Sequence, residues 1–288
     1  MDQRVPVQVQ PVLTEYISRF HEQLPDTLEG LYLHGSIALN AYLDGVSDID
    51  FIAIVNRQII ETEIKILAKI HQSLAENDKA PGMDGCYLLW EDLGRKQIET
   101  KTCLYVNEGE IRWSRHEINP VTWWILKSKG IRVIGPEVTS FHFDVSEHDL
   151  AAYVRNNMNT YWLNRIRTLR KFKRLTFLMP NRFSDQELQW CITGMLRQFY
   201  TLREYEIISK VDAGYYAIDA MPERWHNIIE KRSGFGKVQT YVTTILRNSE
   251  LMMLCIVWSI LLIVATSCRI IQAGSNMELV FFFRTLLD

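Results

Sequence analysis

The fold of this chain is decided by two neighbouring segments, LYLHGS at residues 31–36 and SDIDFIAIV at residues 47–55. The first is an apolar run that enters a Gly-Ser turn. The second places two carboxylates, Asp48 and Asp50, at the head of another apolar run. Because side chains alternate across a strand, the two aspartates lie on the same face. The pattern predicts two strands that bring a tight turn and a carboxylate pair to one place.

The residue types around this turn suit a phosphate-bearing ligand and a divalent cation. Gly35 permits a close approach of the backbone, and Ser36 can open a helix whose N–H groups attract phosphate. Two adjacent carboxylates repel each other unless a cation lies between them, and such oxygen ligands suit Mg²⁺. Either motif alone is common in turns and solvated strand ends. Together, at this spacing, they predict a catalytic site for nucleotidyl transfer.

Composition describes a globular protein with room for more than one domain. The chain has 288 residues, of which 47% are hydrophobic and 23% are charged, and this length allows two domains of ordinary size. The net charge of −2 gives no general attraction to nucleic acid. We therefore expect small-molecule partners and no nucleic-acid partner.

Cysteine usage and the chain ends bear on the compartment. The five cysteines are scattered and show no metal-ligand spacing, which predicts reduced thiols in the cytoplasm. The N-terminal segment MDQRVP lacks the apolar core of a signal peptide. Residues 251–266, LMMLCIVWSILLIVAT, carry no charge and fall between the lengths of about 10–14 residues for a buried helix and about 18 for a membrane span. We favour a buried C-terminal helix, and a membrane-associating tail or a frameshifted end are the alternatives.

The order of the elements predicts an α+β protein with two domains. Strand and helix patterns alternate up to residue 136, which predicts an α/β-type domain with a mixed sheet over residues 1–140. From residue 146 the pattern is helical, which predicts an all-α bundle over residues 146–288. Helix starts are predicted at Ser146, Ser184 and Ser209, because each serine is an N-cap candidate.

The Gly-Ser turn followed about a dozen residues later by Asp-x-Asp resembles the nucleotidyltransferase superfamily. Later segments narrow the resemblance to the aminoglycoside adenylyltransferases of the streptomycin/spectinomycin class. These segments are NPVTWWILKSKGIRVIGP at residues 119–136, LRQFY at 196–200, IISK at 207–210 and MPERW at 221–225. The resemblance covers roughly residues 28–232.

The resemblance implies transfer of AMP from ATP to a hydroxyl of an aminoglycoside or aminocyclitol antibiotic, with release of pyrophosphate. Asp48 and Asp50 would hold Mg²⁺, and Gly35 and Ser36 would hold the phosphates of ATP. The family's third acidic residue, its general base, corresponds to Asp84, where the family often has glutamate. The other interpretation of Asp84 is a plain turn before a strand.

The resemblance also assigns roles to residues of the helical domain. Ser209 is a good N-cap, so Lys210 falls in the first helical turn, where the helix dipole opposes a cation by about 0.3–1 kcal/mol. A triphosphate bound there would remove this conflict, so we expect Ser209 and Lys210 to bind nucleotide; an ordinary exposed lysine is the alternative. Asp185 and Glu187 are candidates for binding a cationic acceptor, although Glu187 fits a capping box with Ser184 equally well.

Other functions stay open at this point. The same chemistry could act on a lincosamide or on a protein hydroxyl, as in nucleotidyltransferase antitoxins, which are short and lack such a helical domain. A non-catalytic, membrane-associated homologue is the alternative from another class, and the intact Asp48, Asp50 and Gly-Ser turn argue against it. The basic run at residues 165–174 would repel a cationic acceptor and is interpreted as a solvated helix face. We expect a cytoplasmic monomer.

Overall fold

The computed structural model describes residues 2–76, 80–95, 103–114, 118–165, 168, 181–221, 223, 226 and 229–230. The chain divides into two compact units, Met1–Tyr153 and Val154–Asp288. The domain boundary predicted between residues 136 and 146 stays a prediction. Among the described helices, none is both long and apolar enough to cross a bilayer. Residues 251–266 and most of the basic run at 165–174 lie outside the described residues.

The first unit is built on a mixed six-stranded sheet. Its order is β5-β4-β3-β2-β1-β6, in which β2 and β3 are parallel and every other neighbouring pair is antiparallel. The strands are β1 (Leu28–Leu33), β2 (Ile49–Val55), β3 (Met83–Leu88), β4 (Cys103–Asn107), β5 (Glu110–Ser114) and β6 (Ile131–Ile134). The mixed sheet and the helices around it confirm the predicted α+β class.

The described part of the first unit contains four α-helices before residue 147. They are α1 (Val9–Gln23), α2 (Gly35–Ala38), α3 (Glu61–Ala75) and α4 (Pro120–Lys129). Proline occupies the first position of α4, and the Asn119 side chain accepts a hydrogen bond from the Val121 N–H at 2.9 Å. Both features are sequence signals for the start of a helix.

Strand β2 is buried on both faces and separates two apolar cores. Phe51, Ala53 and Val55 pack in the core that contains α1 and α3. Ile52 and Ile54 pack on the other face, in the core that contains residues of α4. Because the side-chain period is two, Asp48 and Asp50 share the face of Ile52 and Ile54. The sheet therefore presents both carboxylates on its α4 side, at the start of β2.

The core on the α1 and α3 side contains a chain of buried polar groups. The Tyr87 hydroxyl lies 2.9 Å from the Tyr16 hydroxyl and 2.8 Å from Nε2 of His71. The His71 ring stacks on Phe51 with ring centroids 5.7 Å apart. Burial lowers the pKa of His71 to about 4, so the imidazole is neutral at pH 7. Each of these three polar side chains has a partner inside the core.

The elements from residue 147 onward are helical. They are α5 (Glu147–Asn157), which crosses the division between the units, a π-helical turn (Met158–Trp162), α6 (Asn181–Glu204) and α7 (Lys210–Ala220). Ser146 begins α5 as predicted, because its Oγ accepts from the Asp149 N–H at 3.0 Å. Helix α6 begins three residues before Ser184, so the predicted start at Ser184 is wrong.

Candidate active site

The Gly-Ser turn joins β1 to the short helix α2. Gly35 adopts φ +56, in the left-handed region that favours glycine. A Cβ added there would also overlap the side chain of Asp50, so conformation and space both require glycine. The helix α2 has only four residues, so its dipole is small. Anion binding here would depend on individual N–H groups and on the Ser36 hydroxyl.

Asp50 lies directly against this turn. Its Oδ2 accepts a hydrogen bond from the Ser36 N–H at 3.4 Å. Its backbone carbonyl accepts from the His34 N–H at 3.0 Å. The antiparallel pairing of β1 with β2 brings residues 34–36 against Asp50. This pairing explains the sequence spacing between the Gly-Ser turn and the carboxylate pair.

Asp84 joins Asp50 in the parallel pairing of β2 with β3, where the two residues are register partners. Strand β3 begins at Met83, so Asp84 lies inside the strand and the interpretation as a plain turn before a strand is wrong. Asp48 precedes β2 and is exposed. By strand periodicity all three aspartates point to the α4 side of the sheet.

The environment of Asp84 differs from that of the other two carboxylates. Its Oδ1 accepts a hydrogen bond from the Glu108 N–H at 2.9 Å, at the tip of the β4–β5 hairpin. Burial raises the pKa of Asp84 to about 6, the negative charges of Asp48 and Asp50 add to the rise, and the Glu108 N–H opposes it. A carboxyl with a pKa close to neutrality, held in one orientation, has the properties of a general base.

The residues predicted to bind nucleotide in the second unit occupy the start of α7. The Ser209 hydroxyl accepts from the Asp212 N–H at 3.0 Å and donates to Asp212 Oδ2 at 2.7 Å. Lys210 is the first helical residue and is exposed, which confirms its predicted position. The Asp212 carboxylate, which was not predicted from the sequence, lies in the same turn and offsets the unfavourable placement of a cation there.

Asp185 and Glu187 lie within α6. Because α6 begins at Asn181, Ser184 is an interior helical residue and not an N-cap. The side chains of Asp185 and Glu187 fall outside the described part of the chain. Their role in acceptor binding stays a prediction.

The fold matches a solved nucleotide-transferring enzyme. The chain aligns with spectinomycin adenyltransferase AAD(9) from Enterococcus faecialis, solved with ATP and spectinomycin, at a TM-score of 0.67 and 13% sequence identity. The alignment covers 88% of this chain and 99% of that one. This chain has a nucleotidyltransferase fold. No protein-family model matches the sequence, and no curated protein matches it.

The residues present at this candidate site fit a magnesium–nucleotide complex. The Ser36 Oγ is buried and has no hydrogen-bond partner within the described structure, so it can donate to a phosphate oxygen. No group of three or more His, Cys, Asp or Glu side chains among the described residues could hold a metal ion. The predicted site instead offers two carboxylates, Asp48 and Asp50. That number agrees with the usual binding of Mg²⁺ by one or two carboxylates together with substrate phosphates and water.

Two contributors to this site were not found from the sequence. Burial lowers the pKa of His34, so this residue of the turn is neutral and brings no positive charge to the phosphates. Glu108 contributes its N–H, which no side-chain pattern reveals, and its negative charge adds to the rise in the pKa of Asp84.

Proposed function

We propose that this protein transfers AMP from ATP to a hydroxyl of an aminoglycoside or aminocyclitol antibiotic similar to streptomycin or spectinomycin. The observation that carries the proposal is the convergence of Asp48, Asp50 and Asp84 on one sheet face beside the Gly35–Ser36 turn. The nucleotidyltransferase fold supports it. So does the crystal structure of the similar enzyme, which contains ATP and spectinomycin.

In the proposed reaction the acceptor oxygen bonds to the α-phosphorus of ATP, and the bond between that phosphorus and the bridging oxygen of pyrophosphate breaks. Asp84 takes the proton of the acceptor hydroxyl. Its raised pKa makes it a stronger base than an ordinary aspartate, and the Glu108 N–H holds one oxygen and so orients the carboxylate. General-base catalysis of this kind contributes about 10²–10⁴-fold to the rate.

Asp48 and Asp50 would hold Mg²⁺, which when bound neutralises charge on the phosphates and on the leaving pyrophosphate. The Ser36 hydroxyl and the N–H groups of the Gly35–Ser36 turn would orient the phosphates. Most of the rate enhancement in such a transfer comes from positioning and charge neutralisation. We further propose that Ser209 and Lys210 contact the nucleotide and that Asp185 and Glu187 bind the cationic acceptor.

Mass spectrometry tests the proposed function directly. The full-length protein is incubated with ATP, Mg²⁺ and either streptomycin or spectinomycin, and pyrophosphate release is followed in parallel. The expected result is an antibiotic whose mass has increased by one AMP group, with equimolar pyrophosphate. The Asp50→Asn protein is the control and should give neither product. Pyrophosphate release with AMP attached to a protein hydroxyl would reject the antibiotic as acceptor, and absence of both products would reject the transfer.

A further inference from the structure

One row of side chains crosses four strands of the sheet on its α4 side. Asp50 of β2 is the register partner of Asp84 of β3. Continuing the pairing of β3 with β4 places Asn107 opposite Asp84, and Asn107 pairs with Glu110 of β5. Because cross-strand partners share a sheet face, these four side chains stand side by side. The function proposed above uses only the two aspartates.

The next row into the sheet has a different character. Its members are Ile52, Cys86, Tyr105 and Arg112. Of these, Ile52 and Cys86 are buried in the core on the α4 side. The outer row is polar throughout and opens toward the sheet edge, since Asn107 is half-buried and Glu110 is exposed. The polar row therefore lies where the core stops, on the face that carries the candidate active site.

The β4–β5 hairpin holds Glu110 at a set distance from Asp84. Its two turn residues, Glu108 and Gly109, have φ +51 and +77, as in the type I′ turn that matches the twist of the strands. The Glu108 N–H donates to Asp84 Oδ1 at 2.9 Å. From the opposite side of the sheet α3 supports the turn, because a Cβ built on Gly109 would lie 3.7 Å from the Ala75 Cβ. Neighbouring strands lie about 4.8 Å apart, so Glu110 stands about 10 Å from Asp84 along the row.

The geometry of the transfer decides on which side of Asp84 the acceptor lies. The attacking and leaving oxygens are roughly in line across the phosphorus. The Ser36 Oγ is buried without a partner in the described structure, and its turn lies against Asp50, where it would hold the phosphates. The leaving pyrophosphate is then on the β1–β2 side of Asp84. The acceptor consequently approaches from the β4–β5 side, over Asn107 and Glu110.

We propose that Glu110 determines acceptor specificity, its carboxylate binding an ammonium or guanidinium group of the acceptor while the acceptor hydroxyl lies at Asp84. This inference rests on the proposed function for the role of Asp84 as the base. The acceptor that Glu110 selects carries a cation within about 10 Å of the hydroxyl that receives AMP. Glu110 is remote from the reacting atoms, so it acts on acceptor affinity and not on the chemical step.

Acceptor binding and steady-state kinetics test the proposal on the full-length wild-type and Glu110→Gln proteins. The probes are streptomycin and spectinomycin, with binding measured by calorimetry and turnover by pyrophosphate release. Glu110→Gln should weaken acceptor binding and raise the acceptor KM about three- to fivefold, because an exposed ion pair is lost. Its kcat and its KM for ATP should be unchanged. Glu110→Asp keeps the charge and should retain most of the affinity.

Salt separates a charge contact from a structural defect. The difference in acceptor affinity between wild type and Glu110→Gln should shrink as NaCl is raised from about 0.02 M to about 0.5 M, because salt screens exposed charges. A defect in the hairpin would persist at high salt and would lower the unfolding temperature.

Glu76→Gln is the matched control. Glu76 is exposed and follows the last residue of α3, which lies behind the same hairpin on the opposite side of the sheet. The substitution removes an equal charge and should leave acceptor affinity unchanged. Wild-type acceptor affinity in Glu110→Gln would overturn the proposal. So would an equal loss of affinity in Glu76→Gln, or a loss in Glu110→Gln that does not respond to salt.

The outcome is separable from that of the proposed function. A wild-type protein that transfers AMP while Glu110→Gln binds the acceptor normally would overturn the role of Glu110 alone. A wild-type protein that binds an antibiotic but transfers no AMP would overturn the proposed function, and a salt-sensitive loss of binding in Glu110→Gln would still support the contact with the cation. A wild-type protein that binds neither antibiotic would overturn both.

Discussion

Two groups of polar side chains lie next to strand β2, and they differ in whether their hydrogen bonds are made. On the α1 and α3 side, Tyr16, Tyr87 and His71 satisfy one another in the core. At the start of the strand, the Ser36 hydroxyl, in the turn that lies against Asp50, is buried without a partner in the described structure. The sheet therefore lies beside one group of buried polar side chains that have hydrogen-bond partners and one group in which a hydroxyl has none in the described structure.

The difference separates polar groups that serve the fold from those that serve a ligand. An unmade hydrogen bond of a buried group costs about 1–3 kcal/mol, so a folded chain normally avoids it. A hydrogen-bond donor without a partner, close to three carboxylates, is what a site for phosphate and a cation requires. Mutation of Tyr16, Tyr87 or His71 should therefore change mainly stability, and mutation of the polar residues at the start of β2 should change mainly function.

The largest expected effect is on the carboxylate pair. Asp48→Asn and Asp50→Asn should each lower AMP transfer by at least about 10³-fold, because positioning and charge neutralisation are lost together. Turnover is measured by pyrophosphate release, with the exposed Asp144→Asn as the matched control. Near wild-type turnover in either variant would remove the metal assignment.

The second effect concerns the base. Asp84→Asn should lower kcat by about 10²–10⁴-fold and retain binding of ATP with Mg²⁺, measured by calorimetry. In the wild type, kcat/KM should rise with pH through about 6, the pKa of the free Asp84 carboxyl. Loss of ATP binding together with unchanged residual turnover would contradict the role as a base.

The pKa of Asp84 also fixes the direction of a stability effect. The unfolded carboxyl loses its proton near the ordinary value of 3.8 and the folded one near 6. Between these values the folded state binds more protons, so this group lowers stability as pH rises. Asp84→Asn should therefore unfold at the same or a higher temperature than the wild type at about pH 8, which separates a functional loss from a folding defect.

The turn, its flanking strands and the carboxylate pair could be predicted from the sequence. The spacing of Gly35, Asp48 and Asp50 predicted strands, turn and a shared sheet face, because alternation and turn chemistry are local rules. Asp84 required the family resemblance, since its pairing with Asp50 joins residues far apart in the chain. Pairing of this kind depends on tertiary packing and leaves no local pattern.

The parts that were missed have identifiable physical reasons. The Glu108 contribution comes from a backbone N–H in a hairpin turn, which any residue tolerating positive φ could supply. The helix-dipole argument from the sequence considers only the Lys210 cation and leaves out the Asp212 carboxylate in the same turn. The sequence predicts an N-cap at Ser184, whereas α6 begins at Asn181. Helix ends are marked weakly when several polar residues follow one another.

A third, smaller effect is expected when Lys210, in the second unit, loses its charge. Lys210→Ala should weaken ATP affinity about tenfold, because a charge-assisted contact is worth about 1.5–3 kcal/mol. The helix should be retained, since the Ser209–Asp212 capping interaction does not involve the lysine. Lys65→Ala, at another exposed helical lysine, is the control. Unchanged ATP affinity in calorimetry would remove Lys210 from the site.

The smallest effect separates the two polar clusters by stability. Tyr87→Phe leaves Tyr16 and His71 without their shared partner and should cost about 1–3 kcal/mol in the free energy of unfolding. Ser36→Ala removes a buried hydroxyl that has no partner in the described structure and should not lower the free energy of unfolding. Denaturant unfolding measures both. A larger cost for Ser36→Ala than for Tyr87→Phe would contradict the distinction.

The donor that holds Asp84 is a main-chain group, and this affects how the site is inherited. Changing the side chain at position 108 leaves the N–H in place, and proline, which lacks it, cannot adopt the φ of +51 found there. The link is transmitted by the shape of the hairpin and not by the identity of a residue. Residues that tolerate a positive φ can replace Glu108 while Asp84 stays anchored, and replacement of the amide by an ester would remove the anchor chemically.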